Sequence, residues 1–149
     1  WDPYHSKLSE LLDRAYRQFG YSILIDAHSM PHEAILNAST GFHTSQLVLG
    51  DRYGASCSPD IVNNLAMLIS KNGLHASRNI PFSGAYIVQK YGRPELNRHA
   101  IQLEIDRSIY MDERKIQKLD KFVNLKNKLL NILKDFSKTH ASIASIAAE

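Results

Sequence analysis

Asp26, His28 and Ser29 in the run ILIDAHS form the first arrangement able to do chemistry. In an extended chain residues 26 and 28 project from one side, so the carboxylate can orient the imidazole or bind a metal beside it. His28 is therefore a candidate metal ligand; the alternative is a histidine satisfied by hydrogen bonds at a strand end. His32 lies four residues on, but Pro31 opposes the helix that a two-histidine zinc face requires, so His32 reads as a loop residue. A second arrangement is HAIQLEIDRSIYMDE, His99 to Glu113, where Ile101, Leu103 and Ile105 alternate with Gln102, Glu104 and Asp106. A strand of this kind can aim Glu104 into a cleft as general base while Arg107 offers a cation to an acidic substrate. The alternative is a half-solvated edge strand whose charges face water. A third run, RNIPFSGAYIVQKYGRP, sets Arg78 and Arg93 on either side of a strand candidate, with Gly84 permitting close backbone approach. Those arginines suit carboxylate recognition or an ordinary surface. Cys57 has no histidine beside it in sequence and reads as a small residue packed in a loop.

The elements that must position these residues follow from periodicity and punctuation. Asp2 as N-cap, Pro3 at the first position and apolar residues at Leu8, Leu11, Leu12, Ala15, Tyr16 and Phe19 predict an amphipathic helix that Gly20 stops. Tyr21 to Ala27 reads as a short buried strand running into His28, and Pro31 to His43 as a loop. Gln46 to Gly50 is a second strand. A second helix starts at Ser58 and Pro59, buries Ile61, Leu65, Leu68 and Ile69, and ends at Gly73. Gly84 to Lys90 and His99 to Asp106 are further strands, and a closing helix runs from an Asp112 N-cap through Phe136, with residues 140–149 extending it or fraying. Alternating helices and strands predict a mostly parallel α/β sheet, with ligands gathered beyond the carboxyl ends of its strands, where His28 lies.

Composition narrows the function classes. The 149 residues are enough for one core and one domain. Eighteen basic against fifteen acidic residues leave a net charge of +3, too small and too scattered for a nucleic-acid interface. No apolar run approaches the roughly 18 to 20 residues that span a bilayer. A single cysteine excludes a disulfide-stapled fold and favours a cytoplasmic setting. The chain opens at Trp1 straight into a helix signal, which leads us to expect an upstream half beyond it.

Taken together, ILIDAHS, LGDRYGASCSP, NIPFSGAYIVQKYGRP and HAIQLEIDRSIYMDE, in this order and spacing over about residues 1 to 115, closely resemble the carboxyl-terminal half of the N-formylglutamate amidohydrolase family. The resemblance implies a zinc hydrolase of the carboxypeptidase-like superfamily. It implies a phosphorylase/hydrolase-like fold, a three-layer α/β/α sandwich around a mixed, mostly parallel sheet, incomplete in this chain. It also implies a small acidic N-acyl amino acid as partner, cleaved in the typical member from N-formyl-L-glutamate to formate and L-glutamate, late in histidine degradation. By the same resemblance His28 matches a metal-binding histidine for one zinc per site, and Glu104 matches the general base and acid. Arg78, Arg93 and Arg107 are placed near the substrate, and the remaining metal ligands are expected upstream of Trp1. Other readings are an amidase or carboxypeptidase-like hydrolase of another N-acyl amino acid, and a catalytically silent module that binds an acidic ligand or another chain.

Overall fold

A computed structural model describes residues 1–38 and 45–146, with side chains through Ala141. Helix α1, Asp2–Phe19, has Trp1 rather than Asp2 as its N-cap, and Gly20 closes it in the left-handed conformation at φ 74°, which glycine adopts without strain. Strand β1, Ser22–Met30, runs three residues past the expected end and carries His28 well inside it. The segment expected as a loop contains helix α2, His32–Ala38; Pro31 precedes the helix and breaks none of its hydrogen bonds, and Ile35 anchors it in the interior. The rest of that expected loop, residues 39–43, lies outside the described residues.

Strand β2, Leu47–Gly50, is buried throughout. Helix α3, Pro59–Lys71, starts and stops where its proline and Gly73 predict, although Ser58 makes no side-chain cap. Strand β3, Ala76–Arg78, was not anticipated. The expected strand at Gly84 to Lys90 is instead helix α4, Tyr86–Tyr91. Gly84, at φ 110°, turns the chain there, and within α4 only Val88 is buried; that tertiary anchor overrides the β preference of Tyr86, Ile87 and Val88.

Strand β4, Arg98–Asp106, is followed by the small hairpin of β5, Met111–Asp112, and β6, Gln117–Lys118. The closing helix α5, Lys121–Ile146, therefore begins nine residues after Asp112. Asp112 turns its carboxylate onto the amides of Arg114 and Lys115, both at 3.0 Å, and makes a turn instead of a helix cap.

The main sheet has the order β1-β4-β2-β3, with β1 and β4 parallel, β4 and β2 antiparallel, and β2 and β3 parallel. It is thus mixed and mostly parallel, with helices on both faces. Alternation sorts the two faces. Leu47, Leu49, Ile101 and Leu103 join Val62, Leu65 and Ile69 of α3 and Leu125, Ile132 and Phe136 of α5 in the main core. The other face carries Asp26, His28, Gln102, Glu104 and Asp106, with a smaller apolar cluster of Met30, Ile35, Val48 and Phe82 beside them. Helix α1 packs against β1 and reaches α4, where His5 Nδ1 lies 2.7 Å from the Tyr91 hydroxyl. No helix among the described residues is long and apolar enough to cross a membrane.

Candidate active-site face of the sheet

Strand β4 is not an edge. It lies between β1 and β2, so the polar alternation that suggested solvated charges is an interior feature: Gln102, Glu104 and Asp106 are all buried. Three charged or amide side chains on one buried strand face are costly unless each is bonded, and each is. Gln102 Nε2 donates to Glu104 Oε1 at 2.8 Å, and Gln102 Oε1 accepts from the Ala85 amide at 2.8 Å. Asp106 Oδ2 meets His32 Nδ1 at 2.8 Å, while its Oδ1 accepts from the Ser108 amide at 2.9 Å.

Register brings His28 and Glu104 together. They are direct partners in the parallel ladder, as are Asp26 and Gln102, so one imidazole and one carboxylate stand on adjacent strands about 4.8 Å apart along the hydrogen-bonding direction. On its other side Glu104 faces Val48 of β2. His28 Nε2 is 2.9 Å from Asp26 Oδ2, and His28 remains 45% exposed while Asp26 is largely covered. That aspartate oxygen is buried and has no hydrogen-bond partner, so the two atoms are close without the alignment of a hydrogen bond. A nitrogen and an orphaned oxygen converging in this way fit, in chemical kind, two donors of a zinc site. Among the described residues no group of three or more His, Cys, Asp or Glu side chains is gathered to hold a metal by itself.

The three arginines expected near the substrate are scattered. Arg107 follows β4 directly and donates to Ser29 Oγ and the Ser29 carbonyl, both at 3.2 Å, which sets it at the carboxyl end of the β1–β4 pair. Arg78 is level with Leu49 on β2, and Leu49 with Leu103 on β4, so it belongs to the face opposite Glu104. There it forms a two-pronged pair with the fully buried Asp51, Nε to Oδ1 at 3.2 Å and Nη2 to Oδ2 at 2.5 Å, and those bonds raise its pKa further. Arg93 bridges Arg98 at the start of β4 and donates to the carbonyls of Gln89 and Gly92. Six residues of strand separate that end from Glu104, about 20 Å of chain.

His32, read as a loop residue, is instead tied to Asp106 from the first turn of α2, and its amide donates to Glu113 Oε2 at 3.2 Å. The pleat alternation in QLEID identifies the polar face, but nothing local in the sequence signals that His32 or the Ala85 amide would meet it. Cys57 is buried in the main core, and burial followed by the Asp51 charge pushes its thiol up to about 12, which leaves it inert as a nucleophile.

A family model described as N-formylglutamate amidohydrolase matches residues 1–111. An N-formylglutamate deformylase of Pseudomonas aeruginosa is 37% identical over 115 residues, 76% of this chain and 42% of the relative. One from Pseudomonas putida is 39% identical over 114 residues, with the same coverage. The crystal structure of N-formylglutamate amidohydrolase from Ralstonia eutropha JMP134 superposes with a TM-score of 0.82 at 32% identity, covering 92% of this chain and 50% of that one. The chain thus spans less than half the length of the curated relatives it matches.

Proposed function

Because this chain belongs to the N-formylglutamate amidohydrolase family, we propose that the protein hydrolyses the amide bond of N-formyl-L-glutamate to formate and L-glutamate. The observation that carries the reading is the register of β1 and β4, which stands His28 and Glu104 side by side on a polar, mostly buried sheet face. His28, with Asp26 beside it, would hold a zinc ion. A zinc ion in such a place would supply a bound water whose pKa is lowered toward about 7.

Glu104 takes the proton lost as water oxygen bonds to the formyl carbon, and returns it to the amide nitrogen as the carbon–nitrogen bond breaks. Formate and the amino group of glutamate are then released with atoms balanced. Arg107, at the carboxyl end of the same strands, takes a substrate carboxylate. The single buried cysteine, free of any disulfide, supports a cytoplasmic setting.

The test is formate release by the zinc-supplied protein, with N-formyl and N-acetyl glutamate compared side by side. Glu104→Gln is expected to keep zinc binding and lose most turnover, whereas His28→Ala is expected to weaken zinc binding in a competitive titration. Undiminished formate release by Glu104→Gln, or equal zinc affinity in His28→Ala, would remove that residue from its role.

A further inference from the structure

We propose that Gln102 is a positioning residue for Glu104, and that the backbone loop 82–85 sets the way Gln102 faces. The inference rests on the hydrolase reading for what Glu104 does, but its geometry stands on hydrogen-bond chemistry alone. A glutamine amide has one accepting and one donating end, and either could face a given neighbour. Here the choice is forced: the Ala85 main-chain N–H can only donate, so the atom it meets at 2.8 Å must be Oε1. Nε2 is then turned toward Glu104 and donates to its Oε1 at 2.8 Å. Both side chains are buried, so this bond is not exchanged for water. One carboxylate oxygen of Glu104 is thereby held, and the other is left to work.

The loop is brought to this spot by a missing side chain. Gly50 of β2 stands opposite Gln102 in the ladder, and a Cβ on it would come within 2.7 Å of the Gly84 nitrogen and 2.8 Å of the Ser83 carbonyl carbon. Loop 82–84 therefore lies directly on Gly50. The Arg52 amide donates to the Ser83 carbonyl at 2.7 Å and pins it there. Gly84, at φ 110°, then directs the next amide, Ala85, down onto Gln102. Gln102 commits its Oε1 to the Ala85 amide and its Nε2 to Glu104, so it acts through Glu104.

Two measurements test this. In the 15N-labelled protein the side-chain NH2 of Gln102 should give two resolved proton signals that exchange with solvent far more slowly than those of exposed Gln18 and Gln89, and Glu104→Ala should shift the donated proton. Fast exchange, or no response to Glu104→Ala, overturns the proposal whether or not the protein is a hydrolase. In the formate assay Gln102→Leu should lower kcat about 10- to 100-fold, the range for loss of a partner that orients a working group, with KM little changed. If Glu104→Gln abolishes turnover and folded Gln102→Leu does not lower kcat, positioning is refuted. If Glu104→Gln leaves turnover intact, the hydrolase reading fails instead, and the amide signals still decide the role of Gln102.

Discussion

Replacing Arg78 by methionine keeps most of the side chain's length and removes its charge, and the fully buried Asp51 then loses two of its bonds. Asp51 retains Asn79 Nδ2 at 2.6 Å and the Gly54 amide at 3.1 Å, so its carboxylate is not wholly abandoned. Breaking a buried ion pair from one side costs about 3–5 kcal/mol. The Arg78 side chain is 37% exposed, and that solvent screening together with the two surviving donors brings the expected loss to about 2–3 kcal/mol. For a chain of this size each kcal/mol lowers Tm by about 2–4 °C, so Arg78→Met should melt roughly 4–12 °C below the parent.

Urea unfolding followed by circular dichroism should show a lower midpoint with an unchanged slope. The double-mutant cycle with Asp51→Asn should return a coupling of about 1 kcal/mol or more. KM for N-formylglutamate should not move, because Arg78 lies on the face opposite Glu104. A loss below about 0.5 kcal/mol would refute the electrostatic account of this corner, since surface substitutions alone give that much; a raised KM without instability would make Arg78 a substrate ligand.

Gly50→Ala should destabilise by about 1–3 kcal/mol through the clash with the loop backbone, read as a lower Tm, and an unchanged Tm would mean the loop yields freely. Acidification should weaken the fold: burial lowers the pKa of both His99 and His140, so below their ordinary value the unfolded chain takes up more protons than the native one. Stability is then full above about pH 6.5 and falls as pH drops through the lowered native values, and His99→Asn should flatten that slope in urea titrations at pH 7.5 and 5.5. Protonation would also cost the bond that His99 Nδ1 accepts from the Ser58 amide at 3.3 Å. Cys57 should react with a thiol reagent at pH 8 only as fast as the protein unfolds, and rapid labelling of the native state would contradict its burial.

The parts of this molecule that sequence reveals are those in which one residue's environment is set by its near neighbours. The two-residue alternation of IQLEID sorted Gln102, Glu104 and Asp106 from Ile101, Leu103 and Ile105, and the caps and glycines around α1 and α3 gave their limits to within about two residues. What alternation cannot say is which strands flank β4, and that decides whether its polar face meets water or protein. Helix α4 was hidden for a related reason: Tyr86, Ile87 and Val88 favour a strand, and only the packing of Val88 and the turn at Gly84 make a helix there. Asp112 shows the converse, a residue equally suited to capping a helix or closing a turn, whose choice was made by the hairpin with β6. The proximity of Arg107 and the remoteness of Arg93 likewise depend on which end of β4 each adjoins, and flanking a strand in sequence does not distinguish the two.

The pairing of Ser22–Met30 with Arg98–Asp106 has a consequence for how such a protein can change. Inserting or deleting one residue ahead of His28 or Glu104 within its strand would turn that side chain toward the α3–α5 core and bring Ala27 or Ser29, or Leu103 or Ile105, onto the polar face in its place, losing the candidate site and packing in a single step. Length variation is thus barred from these two nine-residue segments, whereas point substitutions on the polar face can be sampled one at a time while the apolar face stays intact. A library of single-residue insertions should leave both strands blank and the exposed 114–116 segment of the turn populated, so that tolerance to changed length, more than tolerance to changed identity, marks where the candidate site residues stand.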